Sequence, residues 1–156
     1  MNKEVLALAK QLENTLSGHP WFGRAVYEIL DEVDPDKAYE KPNNGSHSLA
    51  ELLYHMITWA SFTLKRLENE KETDLQYFEK MDWITLDPSV HTWQKGVDEF
   101  KQVNSKIIEI LKQRDDSFLK DIVDYREYNF RFLLNGIIQH HIYHLGQIAY
   151  VKKYFG

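Results

Sequence analysis

Between about Arg131 and Tyr154 the apolar residues recur at the spacing of one helix face. Leu133, Ile137, His140, His144, Ile148 and Val151 step by four, three, four, four and three residues. Two positions on this inward stripe are histidines, which an apolar face holds only at a free-energy cost unless each finds a partner. Four residues are slightly more than one turn, so His140 and His144 leave the same side about 6 Å apart along the axis, close enough to share one ion. The segment must therefore be a long helix covered by other elements, and those elements must answer two buried imidazoles.

The helical period returns in three further segments, and little of the chain alternates like a strand. The first runs from about Lys3 to Val33, with Val5, Leu8, Leu12 and Leu16 inward and a break at Ser17-Gly18-His19-Pro20. Phe22, Val26, Ile29 and Leu30 form its second stretch, with Pro20 expected in the first turn, where a missing N–H is harmless. The turn-forming residues from Asp34 to Gly45 predict loop. Ser48 followed by Glu51 is a capping box that starts the next helix, which should run to about Glu70. Its inward face includes Leu49, Leu52, Leu53, Met56, Trp59, Ala60, Phe62, Leu64 and Leu67, and His55 lies within that face. Lys71 to Pro88 is long for a structureless connection, so part of it is expected to pack over a pocket or form a short helix. A further helix runs from Ser89 or Thr92 to Gln113 on Val97, Phe100, Val103, Ile107 and Leu111. The stretch from Phe118 to Phe130 is ambiguous and could hold short extended pieces. These patterns predict an all-α protein, a four-helix bundle forming one domain over residues 1–156 with a long connection between its second and third helices.

Composition narrows the function. The chain has 156 residues, 43% of them hydrophobic, enough for a sizeable core. A net charge of −5, with no run of Lys or Arg longer than two, argues against a nucleic-acid partner. The absence of cysteine excludes disulfides, thiolate ligands and a cysteine nucleophile within the chain. No stretch approaches the roughly eighteen apolar residues of a membrane span, so a cytoplasmic protein with no membrane partner is expected.

A single histidine on an apolar face is usually a core residue bonded to a carbonyl or carboxylate. Two at i and i+4, with His55 added from another helix, shift the balance toward a shared metal ion, because one ion satisfies all three. Three neutral imidazoles suit a divalent ion such as zinc, nickel, iron, cobalt or manganese, and they leave positions open for water or substrate. His19, His47 and His91 lie near helix starts, where capping or solvent exposure is the simpler reading. His141 can belong to the surroundings of the site or to an interface. Trp59, Phe62, Tyr77, Trp83 and Tyr150 fit core packing better than a pocket wall. Gln147 and Tyr54, each close to a candidate ligand, are candidates to support it. Gly146 is expected to permit close helix approach. A scaffold of buried, hydrogen-bonded histidines without metal remains an alternative.

Ser48-Leu49-Ala50-Glu51-Leu52-Leu53-Tyr54-His55 and Gln139-His140-His141-Ile142-Tyr143-His144-Leu145-Gly146-Gln147-Ile148 resemble the second- and fourth-helix signatures of the DinB/YfiT-like superfamily. By that resemblance His55, His140 and His144 match the family's metal-binding triad, the bundle has an unusual topology, and homodimers are common. His141 stands where many relatives carry aspartate. Relatives include S-transferases that use bacillithiol or mycothiol and a mycothiol-dependent maleylpyruvate isomerase. The resemblance therefore implies a metal-dependent enzyme, with water or a low-molecular-weight thiol as cosubstrate and a small electrophilic molecule as substrate, a thiol S-transferase or a hydrolase. The alternative is a non-enzymatic, metal-dependent ligand-binding or stress-response module.

Overall fold

Capping residues set the helix starts. In the computed structural model, which describes residues 1–156, the helices are α1 (Lys3–Ser17), α2 (Val26–Asp31), α3 (Leu49–Leu67), α4 (Leu75–Met81), α5 (Trp93–Lys112) and α6 (Phe130–Tyr154). Both halves of the capping box form at α3: Ser48 accepts from the Glu51 amide and Glu51 accepts from the Ser48 amide. Asp74, Thr92 and Asn129 cap α4, α5 and α6 through their side chains. Helix α1 has no cap of its own; Asp116, distant in sequence, accepts from the Glu4 and Val5 amides instead. There is no strand. The ambiguous stretch resolves into a 3₁₀ turn, Asp116–Lys120, followed by one antiparallel bridge between Ile122 and Asn129.

The four long helices are α1, α3, α5 and α6. Helix α3 packs on α5 and α6, and α1 packs on both of them as well, which sets α1 and α3 across the bundle from each other. Leu12, Leu16, Leu53, Met56, Phe100 and Ile107 fill the space between them. Helices α5 and α3 approach closely at Gly96, where a Cβ would stand 2.9 Å from Leu53 Cδ2 and 2.9 Å from Tyr54 Cε2. No helix is long and apolar enough to cross a membrane.

Three expectations need correction. Helix α2 begins at Val26, not at Pro20, which instead opens a turn closed by the Gly23 amide. Phe22 is exposed because it lies in that turn, outside helical register. Gly146 faces open space, so the glycine that permits close helix approach is Gly96.

Candidate metal centre

Helices α3 and α6 lie side by side, and their apolar periodicity turns His55 toward His140 and His144. The Nε2 atom of His55 is 2.9 Å from that of His144 and 3.0 Å from that of His140. Ligand atoms of all three fall within 4.8 Å of one another. His55 and His144 are buried, and His140 is partly so.

The opposite ring nitrogens decide what this convergence means. His55 Nδ1 lies 2.5 Å from Asp82 Oδ1, and the other Asp82 oxygen accepts from the Trp59 indole N–H at 3.0 Å. His144 Nδ1 lies 2.5 Å from Gln147 Oε1. Both oxygens are acceptors, so both Nδ1 atoms carry the proton, and each Nε2 presents a lone pair to the centre. Burial pushes the pKa of His140 down to about 3, with further lowering from the neighbouring His144 and His55. Burial also lowers His55 and His144, against the opposing pull of Asp82 and Gln147 respectively. Neutral rings thus bring two lone pairs to 2.9 Å with no proton between them. A proton on His140 Nε2 can answer the lone pair of His55, and the cluster still lacks a positive charge. Imidazole nitrogens that stand about 3 Å from His55 Nε2 on two sides, with all three ligand atoms within 4.8 Å of one another, can converge on one divalent ion at bonds of about 2.0–2.1 Å.

Aromatic rings cover the cluster. Trp83 stacks on His55, with centroids 4.0 Å apart and planes at 11°, and His47 stacks on the outer face of Trp83 at 3.8 Å. Trp83 holds this place with a φ of 52°, in the left-handed region that bulky residues avoid. Two cavities border the histidines. One, of about 200 Å³, includes His55 and lies between α3 and the connection that carries α4. The other, of about 280 Å³, includes His140 and is walled by Trp59, Phe62, Tyr128 and Arg126.

The remaining candidates separate cleanly. His141 is fully buried but points away from the cluster, donating from Nε2 to Asn104 Oδ1 at 2.9 Å and packing edge-on against Phe100. Gln147 supports a ring as anticipated, whereas Tyr54 turns away and donates to the Thr92 carbonyl at 2.9 Å. His19 is exposed, and His91 Nδ1 accepts from the Asp87 amide. Trp83, Tyr77 and Tyr150 are exposed to different degrees and are not core residues. Asp82 and the His47–Trp83 stack went unread in the sequence, since both depend on the path of irregular segments. The clue available was an Asp-Trp pair within a connection too long to be idle.

A sequence model of the DinB superfamily matches residues 22–148. No curated protein matches the chain by sequence. Among solved structures, a DinB-like protein from Bacillus cereus ATCC 10987 is similar at 17% identity and a TM-score of 0.69, over 97% of this chain and 91% of that one. The DinB-like protein YjoA from Bacillus subtilis is similar at 19% identity and a TM-score of 0.65, over 99% and 93% of the two chains. The colibactin self-resistance protein ClbS, solved in complex with a dsDNA, is similar at 12% identity and a TM-score of 0.67, over 97% and 95%. At these identities the likeness is one of fold.

Proposed function

The chain belongs to the DinB superfamily, and from that premise we propose that it is a metal-dependent enzyme whose divalent ion is held by His55, His140 and His144. The observation that carries the reading is the meeting of the Nε2 atoms of His55 and His144 while Asp82 and Gln147 occupy their Nδ1–H groups. Zinc and nickel suit three neutral imidazoles best. A bound ion would supply Lewis acidity, drawing the pKa of a water or thiol ligand toward neutrality. The chain's own residues do the rest. Asp82 and Gln147 fix ring orientation and tautomer, Trp83 and His47 exclude bulk water from the His55 side, and the two flanking cavities receive a small molecule. With no cysteine in the chain, a thiol nucleophile must arrive as a low-molecular-weight cosubstrate. The reaction we propose is attack of that thiol, or of water, on a small electrophile.

Metal analysis of the purified protein and of His55→Ala, His140→Ala and His144→Ala tests the site. About one divalent ion per wild-type chain and a sharp loss in each variant are expected; folded protein that takes up neither zinc nor nickel on dialysis would sink the idea. Turnover of monochlorobimane with a panel of low-molecular-weight thiols then tests for an enzyme rather than a ligand-binding module. A homodimer, implied by the family resemblance, is part of the same proposal, and equilibrium sedimentation tests it. The net charge of −5 supports a protein without a nucleic-acid partner, and a mobility-shift assay on duplex DNA at physiological salt should show no retained complex.

A further inference from the structure

Arginine pairing in this chain has one exception. Arg24 pairs with Glu28 and Glu32, and Arg131 pairs with Glu4. Arg66 donates to the Glu70 and Thr73 carbonyls, and Arg114 donates to the Leu67 carbonyl. Arg126 has no partner of either kind, and its Nε is buried without an acceptor. The guanidinium lies 5.7 Å from the Phe62 and Tyr128 ring centroids and 6.0 Å from that of Trp59. Ring faces attract a cation but accept no conventional hydrogen bond, so this aromatic cradle holds the group, leaves its buried Nε–H unanswered and leaves its terminal N–H groups without a protein acceptor.

The cradle is a wall of the 280 Å³ cavity that also includes His140, and no acidic side chain lines that cavity. Its other walls are largely apolar. A half-buried guanidinium, unpaired within the chain and bordering an apolar space with no acidic lining, is suited to one complement above others, a planar carboxylate bound through two parallel N–H···O contacts. A phosphate would call for more donors than one arginine without a lysine provides.

We propose that this cavity is a carboxylate-recognition site, in which Arg126 binds the carboxylate of a small, largely apolar molecule whose far end lies at the histidine cluster. Only the far end rests on the metal-dependent reading; the contact with Arg126 needs no ion. The carboxylate can belong to the electrophilic substrate or to a thiol cosubstrate, and both present the same chemistry to Arg126.

Calorimetric titration with 3-phenylpropionate and its neutral amide, 3-phenylpropanamide, tests the site in EDTA-treated and zinc-treated protein. Wild type should bind the acid at least ~10-fold more tightly than the amide in both samples. Arg126→Gln should abolish that preference and Arg126→Lys should retain part of it, with thermal unfolding checking that each variant is folded. Equal affinity for acid and amide, no binding of the acid, or unchanged acid binding in folded Arg126→Gln would overturn the proposal. Acid binding that disappears in EDTA would overturn it too, by placing the carboxylate on the ion. A parallel titration with 3-mercaptopropionate separates the sources: Arg126-dependent affinity above that of phenylpropionate assigns the carboxylate to the cosubstrate, and the reverse assigns it to the substrate. Metal content of the same samples is read separately, so failure of the metal site and failure of the Arg126 site are distinguishable.

Discussion

Asp82 and His55 are joined by a 2.5 Å contact between carboxylate and Nδ1 that spans 27 residues of sequence and two different segments. The carboxylate sets the His55 tautomer, and its second oxygen is itself fixed by the Trp59 indole. Removing it should therefore weaken the candidate metal site without touching a ligand. Asp82→Ala is expected to lower zinc affinity by roughly 10–100-fold, measured by competition with a chromogenic chelator. An affinity within twofold of wild type would refute the role.

Trp83 is held in the left-handed region, with a φ of 52°, while its ring covers His55 at 4.0 Å. Ring and backbone can be tested apart. Trp83→Ala loses the stack and keeps the backbone strain, whereas Trp83→Gly loses the stack and relieves it. The glycine variant should be the more stable of the two by about 1 kcal/mol, read from urea unfolding midpoints. The reverse order would show that this conformation carries no strain.

The histidine triad was legible because all three members lie on regular helices, where the period alone states which way a side chain points. His55, His140 and His144 needed only that period and an assumption that α3 and α6 are neighbours. Asp82, Trp83 and Arg126 follow no period; they lie between helices, and their directions depend on turns such as the one at Trp83. His141 illustrates the opposite limit. Its burial could be anticipated, but its partner, Asn104, is a polar residue hidden on the inward face of α5, and only the packing of α5 against α6 brings the two together. The diagonal placement of α1 and α3 was equally out of reach, because long connections permit more than one helix order.

The two glycines with opposite surroundings give a matched pair. At Gly146 a Cβ meets nothing within 4 Å, and the helix interior favours alanine, so Gly146→Ala should stabilise the chain by up to about 1 kcal/mol. At Gly96 the added methyl must displace buried Leu53 and the Tyr54 ring, each 2.9 Å away. Gly96→Ala should destabilise by about 1–3 kcal/mol despite its better helix propensity. Thermal and urea unfolding of both variants check the contrast, and two shifts of the same sign would contradict it.

Acid should destabilise the metal-free chain through its buried histidines, His141 foremost among those outside the candidate metal site. Asn104 donates its amide N–H to the Phe100 carbonyl, which leaves Oδ1 to accept from His141 Nε2–H and makes the neutral ring the fitting form. Its Nδ1 is then a buried lone pair with no partner, and protonation there would put a charge and an unmet donor into the core. Burial accordingly lowers the pKa from 6.5 to about 3, with smaller contributions from His140 and His144. Between those values the unfolded chain binds the proton and the folded chain does not. Stability is therefore fully present above pH 6.5 and is lost as pH falls toward 3, by about 1.4 kcal/mol per pH unit for this one group. His140, lowered in the same direction, adds to the slope. Urea unfolding in EDTA between pH 7.5 and 4.5 should show the decline, and His141→Gln, which retains a donor for Asn104 but cannot titrate, should flatten it by about 1 kcal/mol per unit. A variant with the wild-type slope would place the acid sensitivity elsewhere in the chain.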